Sequence, residues 1–120
     1  MNILFEFYRG DTYQRDFTIT GWSLPISKVF FTVKEDIEKK NFVLQKTLDN
    51  GITLVDEEDG TNTFNLKICC TDTEHMKIDT DYVFDIEIHS EGVDGETLKK
   101  TILTGTLRLK GSATKRCNEC

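Results

Sequence analysis

The sequence predicts an all-β protein, a two-sheet antiparallel sandwich of about eight strands with one short helical turn. Three observations carry this expectation. Segments such as Thr61-Asn-Thr-Phe-Asn-Leu-Lys-Ile68 and Tyr82-Val-Phe-Asp-Ile-Glu-Ile88 alternate apolar and polar residues with period two, the pattern of a strand that buries one face. Turn-forming residues, among them Asn50-Gly51, Asp59-Gly60 and Gly92 to Gly95, separate such segments. The 120 residues, 38% hydrophobic and 30% charged, suffice for one domain with its own core and need no metal or disulfide to fold.

Taken in order, the first strand is Ile3 to Tyr8. Arg9-Gly10-Asp11 turns the chain, with glycine free to take positive φ. Tyr13 to Thr20 is the second strand, burying Phe17 and Ile19. Pro25 cannot donate to a ladder, so Gly21 to Ser27 is a loop, with Trp22 and Leu24 tucked over the sandwich end. Lys28 to Lys34 is a strand with Val29, Phe31 and Val33 inward and Phe30, Thr32 and Lys34 outward. A charged connection, Glu35 to Asn41, leads to a strand over Phe42 to Thr47. Asn50-Gly51 then predicts a tight type I′ hairpin, because both central residues of that turn need positive φ.

Ile52 to Val55 is a short strand, and Asp56 to Gly60 turns the chain again. Thr61 to Cys69 returns with Phe64, Leu66 and Ile68 inward. Thr71 with Glu74 three residues later matches a capping box, so one helical turn is expected there, with Met76 and Ile78 beneath it. Tyr82 to His89 is the most regular strand, Ser90 to Glu96 a glycine-rich hairpin loop, and Thr97 to Lys110 a long last strand. Gly105 within it signals a bulge or a close backbone contact. Residues 1–111 form the single domain, and residues 112–120 are expected to be a disordered tail.

Charge narrows the possible partners. A net charge of −6 repels phosphate backbones and argues against nucleic acid. No apolar run approaches the roughly 20 residues that span a bilayer, and the start, Met1-Asn-Ile-Leu-Phe-Glu-Phe7, lacks the basic opening of a signal peptide. The expected place is the cytoplasm of a host cell or a particle assembled there.

No residue set predicts catalysis or a cofactor. His75 and His89 are isolated, and no nucleophile elbow or phosphate loop occurs. Asp56-Glu-Glu-Asp59 lacks the spacing of a calcium loop and reads as a solvated turn. Cys69 and Cys70 would point to opposite faces of a strand. Cys117 and Cys120 form a C-x-x-C that is half a zinc site at most, and read as two free thiols of the tail. Arg9-Gly10-Asp11 spells an adhesion tripeptide but reads as an inter-strand turn. The clue to function is instead apolar residues expected on outer faces: Phe5 or Phe7, Phe30, Val83 and Ile102, a possible interface if they form one patch.

Beyond these features, Arg9-Gly-Asp11 near an aromatic, Val29-Phe-Phe-Thr-Val-Lys34, Leu44-Gln-Lys-Thr47 and Asn50-Gly-Ile-Thr-Leu-Val-Asp56 follow one another in a telling order. Asp59-Gly-Thr-Asn-Thr-Phe-Asn-Leu66, Thr71-Asp-Thr-Glu-His-Met76, Asp81-Tyr-Val-Phe-Asp-Ile-Glu-Ile88 and Leu103-Thr-Gly-Thr-Leu-Arg-Leu109 complete it. This series, from Tyr8 to Leu109, resembles the small immunoglobulin-like domains of bacteriophage and prophage tail and baseplate modules. It is similar to the amino-terminal domain of baseplate upper proteins. The resemblance implies an immunoglobulin-like sandwich, no catalytic residues, a structural role in a virion, contacts with other virion proteins and homo-oligomerisation. Two alternatives stay open: an interaction or inhibitor module from a mobile element, and a carbohydrate- or ligand-binding sandwich using Trp22, Tyr8 and Tyr13.

Overall fold

The computed structural model describes residues 2–22, 24–58, 60–92 and 94–111. The strands are β1 Asn2–Tyr8, β2 Tyr13–Thr20, β3 Ile26–Lys34, β4 Leu44–Leu48, β5 Gly51–Glu58, β6 Thr61–Ile68, β7 Asp81–Glu91 and β8 Thr97–Lys110. A one-turn helix, α1 Cys70–Thr73, sits between β6 and β7. The chain is all-β, as its periodicity predicts. The layering differs from the expected sandwich: the eight strands form one mixed sheet in the order β1-β8-β7-β3-β4-β5-β6-β2, which curls nearly into a barrel. The expected tail, with Cys117 and Cys120, lies outside the described residues.

Two local features create the single sheet. The first is the β4–β5 junction, where a hairpin was expected. Positive φ falls on Asp49 (69°) and Gly51 (98°) rather than on two successive central residues. The chain therefore sidesteps instead of reversing. Thr47 pairs with Gly51 and Leu48 with Ile52 in parallel, so β5 runs on in the direction of β4 and ties the two halves together. The second is the parallel pairing of β1 with β8, from Asn2 opposite Thr104 to Tyr8 opposite Lys110. All other ladders are antiparallel.

The inward residues make one core. Val29, Phe31, Val33, Ile52, Leu66, Ile68, Ile86, Ile88, Leu107 and Leu109 are fully enclosed, and Phe5, Phe7, Phe64, Tyr82 and Phe84 join them. The inward assignments on β3, β6 and β7 agree with the alternation in sequence. Phe5 lies between β8's neighbour and β2: its ring stacks on Phe84 at 4.5 Å between centroids and meets Tyr13 at 5.5 Å. At Gly105 an added Cβ would stand 2.2 Å from the Ile3 carbonyl oxygen and 2.6 Å from Phe84 Cζ. This glycine therefore marks a close contact that lets β1 and the Phe84 ring approach β8.

The bulges fall elsewhere. Ile86 pairs with Leu103 but Glu87 pairs with Thr101, so Ile102 is an extra residue in β8. Val55 is likewise extra in β5, between the pairs Leu54–Phe64 and Asp56–Thr63. β5 continues through Glu58, beyond the Val55 end expected for it. Asp56, Glu57 and Glu58 thus lie along extended backbone, where successive side chains diverge and do not converge on an ion.

The helical turn starts earlier than its expected cap. Cys69 is the N-cap, and its backbone N–H donates to Asp72 Oδ2 at 2.7 Å, so the acidic partner is Asp72 and not Glu74. Cys70 is buried and Cys69 half-buried, and neither is a free thiol. Met76 is buried beneath the turn, whereas Ile78 is exposed. The Arg9–Asp11 turn docks on this helix: Arg9 Nη1 donates to the Met76 carbonyl at 3.1 Å and the Gly10 N–H to Thr73 Oγ1 at 3.2 Å. No helix of the described residues is long and apolar enough to cross a membrane.

Candidate functional site

The five residues expected on outer faces do not form one patch. Phe5 and Phe7 are corrected outright. They are 3% and 8% exposed, because on β1 it is Ile3, Phe5 and Phe7 that face the core, while Leu4, Glu6 and Tyr8 face out. Phe30 and Val83 do sit on the outer side of β3 and β7, but only half exposed and apart. Phe30 pairs with Glu87 and packs its ring on His89 at 4.9 Å, whereas Val83 pairs with Lys34 and lines a small hollow with Ile37. Ile102, the bulge residue, turns toward the seam of the sheet and packs against the core.

That seam is the most distinctive surface of the molecule. β8 has 14 residues and β1 only 7. Among the described residues, β1 pairs with Thr104 to Lys110. Among the described residues, β8 from Lys100 to Leu103 has a strand partner only on the β7 side. β2 is hydrogen-bonded only to β6. Where β1 is present, it spans the space between β8 and β2, hydrogen-bonded to β8 and touching β2 through side chains. Phe7 stacks on Tyr13 at 4.4 Å, and the Arg15 guanidinium lies 5.0 Å over the Phe5 ring. β2 and β8 also border a groove of about 340 Å³, with Phe17 to Trp22 on one side and Lys100 to Leu103 on the other.

The floor of the groove is held from the far end by Trp22. Its indole N–H donates to Ser90 Oγ at 2.8 Å, pinning the β2–β3 loop to the end of β7, and Ser90 is fully buried. Lys100 Nζ lies over the indole ring, 5.7 Å from its centroid. Lys100 pairs with the inward-facing Ile88, so its register position is on the inner side of β8, where the sheet has opened. The groove thus combines apolar walls (Phe17, Ile19, Ile102, Leu103), two strand edges and one cation that has no carboxylate partner among the described residues.

The other end of β1 is fixed by charge. Glu6, Arg108 and Asp81 stand side by side across three strands, Glu6 opposite Arg108 and Arg108 opposite Asp81. Arg108 forks onto Asp81, with Nε at 2.5 Å from Oδ1 and Nη2 at 3.1 Å from Oδ2, and reaches Glu6 Oε2 at 3.2 Å. Lys110 adds a contact to Glu6 at 3.3 Å. Lys110, with Arg108, holds the Glu6 carboxyl below its ordinary value, and Arg108 does the same for Asp81. Asp81 and Glu6 together push the Arg108 guanidinium up. Asp85, on the outer side of β7, goes the other way: burial and the nearby Glu87 raise its pKa against the pull of Lys34. The triad fixes β1 in its register on β8.

Periodicity identified neither the groove nor Lys100. No family model and no curated protein matches the chain.

Proposed function

We propose that the protein is a non-enzymatic structural component of a phage or prophage tail or baseplate region, working through contacts with other virion proteins and with copies of itself. The observation that supports this most directly is the groove between β2 and β8. Unpaired strand edges with apolar walls suit the capture of another polypeptide better than they suit bond-making chemistry. The order of sequence segments from Tyr8 to Leu109 supports the virion setting by its resemblance to tail and baseplate domains. On this reading the protein is found in the virion or, before assembly, in the host cytoplasm.

The test is peptide mass spectrometry on phage particles purified after induction of the source strain. Peptides of this chain in stoichiometric amount are expected. Particles that lack the chain while the lysate contains it would sink the structural role and leave an interaction module of a mobile element as the better reading. Light scattering on the purified protein is expected to give a closed homo-oligomer, of the three-fold or six-fold kind that tail assemblies use.

A further inference from the structure

We infer that the free edge of β5, from Thr53 to Glu58, pairs with one extended segment of a partner protein. That segment sets two basic side chains, two positions apart, beside Asp56 and Glu58, and an apolar one beside Leu54. This rests on the protein-contact reading above, at a surface separate from the β2–β8 groove.

The edge arises inside the chain, at the β4–β5 sidestep. On one side β5 pairs with β6 along nearly its whole length, from Ile52 opposite Leu66 to Glu58 opposite Thr61. On the other side β4 pairs with β5 only at Gly51 and Ile52. The positive φ at Asp49 turns the chain out of β4 at that level. Among the described residues, Thr53 to Glu58 therefore have no strand partner on the β4 side. Thr47, near the end of β4, pairs with Phe30 of β3 and with Gly51 of β5 at once. The place next to β5 is thus a true strand position, at the usual ladder spacing of about 4.8 Å, up to the point where β4 stops. At that point a hollow of about 370 Å³ lies between Ser27 to Phe30 of β3 and Thr47 to Asp49. Leu24 and Pro25 stand across a second hollow from Glu57 and Glu58 and make no hydrogen bond to them. Alternate residues of a strand direct N–H and C=O to each side, so those of β5 that turn away from β6 offer an open row.

Burial changes where β4 ends. Ile52, beside β4, is fully enclosed, whereas Leu54, the next residue on the same face, is 42% exposed and Val55 is 57% exposed. An added strand would cover them as β4 covers Ile52. Cross-strand partners share a face. Leu54 lies opposite the buried Phe64 and so on the inner face, while Asp56 and Glu58 lie opposite Thr63 and Thr61 on the outer one. Among the described residues, none of Asp56, Glu57 and Glu58 joins an ion pair. Charge of one sign along an edge repels an acidic strand and admits a basic one. A second copy of this chain is disfavoured for that reason: joining two β5 edges sets the same carboxylates alongside each other in a protein of net charge −6.

The probe is the peptide acetyl-Lys-Val-Lys-Val-Thr-Val-Thr-amide, added at millimolar concentration to the full chain and followed by amide hydrogen exchange residue by residue. Slower exchange is expected at alternate residues of Thr53 to Glu58, those whose N–H points away from β6. The same peptide with Glu in place of Lys is expected to bind about tenfold more weakly. Asp56→Lys combined with Glu58→Lys, both at exposed positions, is expected to invert that preference. Absence of slowing on the parent chain, equal binding of the Lys and Glu peptides, or equal slowing by a peptide with Pro in place of each Val overturns the proposal. Protection of the same amides that rises with protein concentration and without peptide assigns the edge to a second copy and also overturns it. All of these are read on the parent chain, so they hold even where the charge-reversed variant does not fold. Phage particles take no part in the experiment, so the β5 edge and the virion role fail separately.

Discussion

Trp22 and Ser90, 68 positions apart in sequence, share one hydrogen bond of 2.8 Å that joins the β2–β3 loop to the far end of β7. Ser90 is completely enclosed, so its hydroxyl has no water to turn to. Ser90→Ala leaves the indole N–H without its partner and is expected to cost about 1 to 2 kcal/mol. Trp22→Phe keeps most of the ring but strands the serine, at a similar cost. The double variant should then be less destabilised than the sum of the two, because both remove the same bond. Urea unfolding followed by circular dichroism measures all three. Additive losses would mean that the bond contributes nothing.

At Gly105, the backbone of β1 and the Phe84 ring of β7 lie close against β8. A methyl group there would meet the Ile3 carbonyl oxygen, which is backbone and cannot rotate away, as well as the Phe84 ring. Gly105→Ala is expected to cost at least about 2 kcal/mol, at the upper side of ordinary overpacking. Gly21→Ala is the control: nothing lies within 4 Å of its Cβ position, and its φ of +74° leaves only backbone strain. Its cost should be about 1 kcal/mol. Thermal unfolding of the two variants side by side separates crowding from strain. Equal losses would remove the close-contact explanation.

Phe5 and Phe30 invert the expectation that both face outward. Phe5 stacks on Phe84 and Phe31 and touches Tyr13, whereas Phe30 has His89 as its one ring neighbour among the described residues and stays half exposed. Phe5→Ala is expected to lose about 3 to 5 kcal/mol, the usual cost of emptying an aromatic site in a core. Phe30→Ala should lose about 1 kcal/mol, within the common range for partly exposed positions. Chemical denaturation midpoints at fixed slope decide the matter, and comparable losses would contradict the burial pattern of β1.

The faces of β3, β6 and β7 were legible because a strand paired on both sides keeps its alternation unbroken: Val29, Phe31 and Val33 read correctly, as did Phe64, Leu66 and Ile68. What could not be read depends on partners. Asn2-Ile-Leu-Phe-Glu-Phe-Tyr8 is apolar on both faces, so alternation alone does not say whether Leu4 or Phe5 is inside. Ile102 and Val55 are bulge residues, and each shifts the phase of its strand by one, a shift invisible without the opposing strand. Asn50-Gly51 carries the composition of a hairpin turn, yet the positive φ at Asp49 converts it to a sidestep. The parallel β4–β5 pairing that follows it joins the two halves into one sheet. The groove was hidden for the same reason, since its walls come from β2 and β8, which are far apart in sequence.

The charged triad predicts how stability falls in acid. Glu6 and Asp81 have folded pKa values below their ordinary ones, lowered by Lys110 and Arg108 and by Arg108 respectively. A carboxylate lowered in this way stabilises the fold at every pH above its unfolded value, and the contribution disappears as pH falls through the folded value. Arg108→Ala should therefore lower the urea midpoint at neutral pH and converge on the parent protein only as pH falls through the lowered folded values of Glu6 and Asp81, below the ordinary carboxylate value of about 4. Asp85 has the opposite sign. Its folded pKa is raised by burial and by Glu87, so its ionised form is the less stable one. Its stabilising effect is complete below the unfolded value and is lost as pH rises through the folded one. Asp85→Asn should match the parent in acid and exceed it at pH 7. Urea midpoints of both variants against pH give two difference curves of opposite slope. Flat difference curves would mean that neither charge environment differs between the folded and unfolded chains.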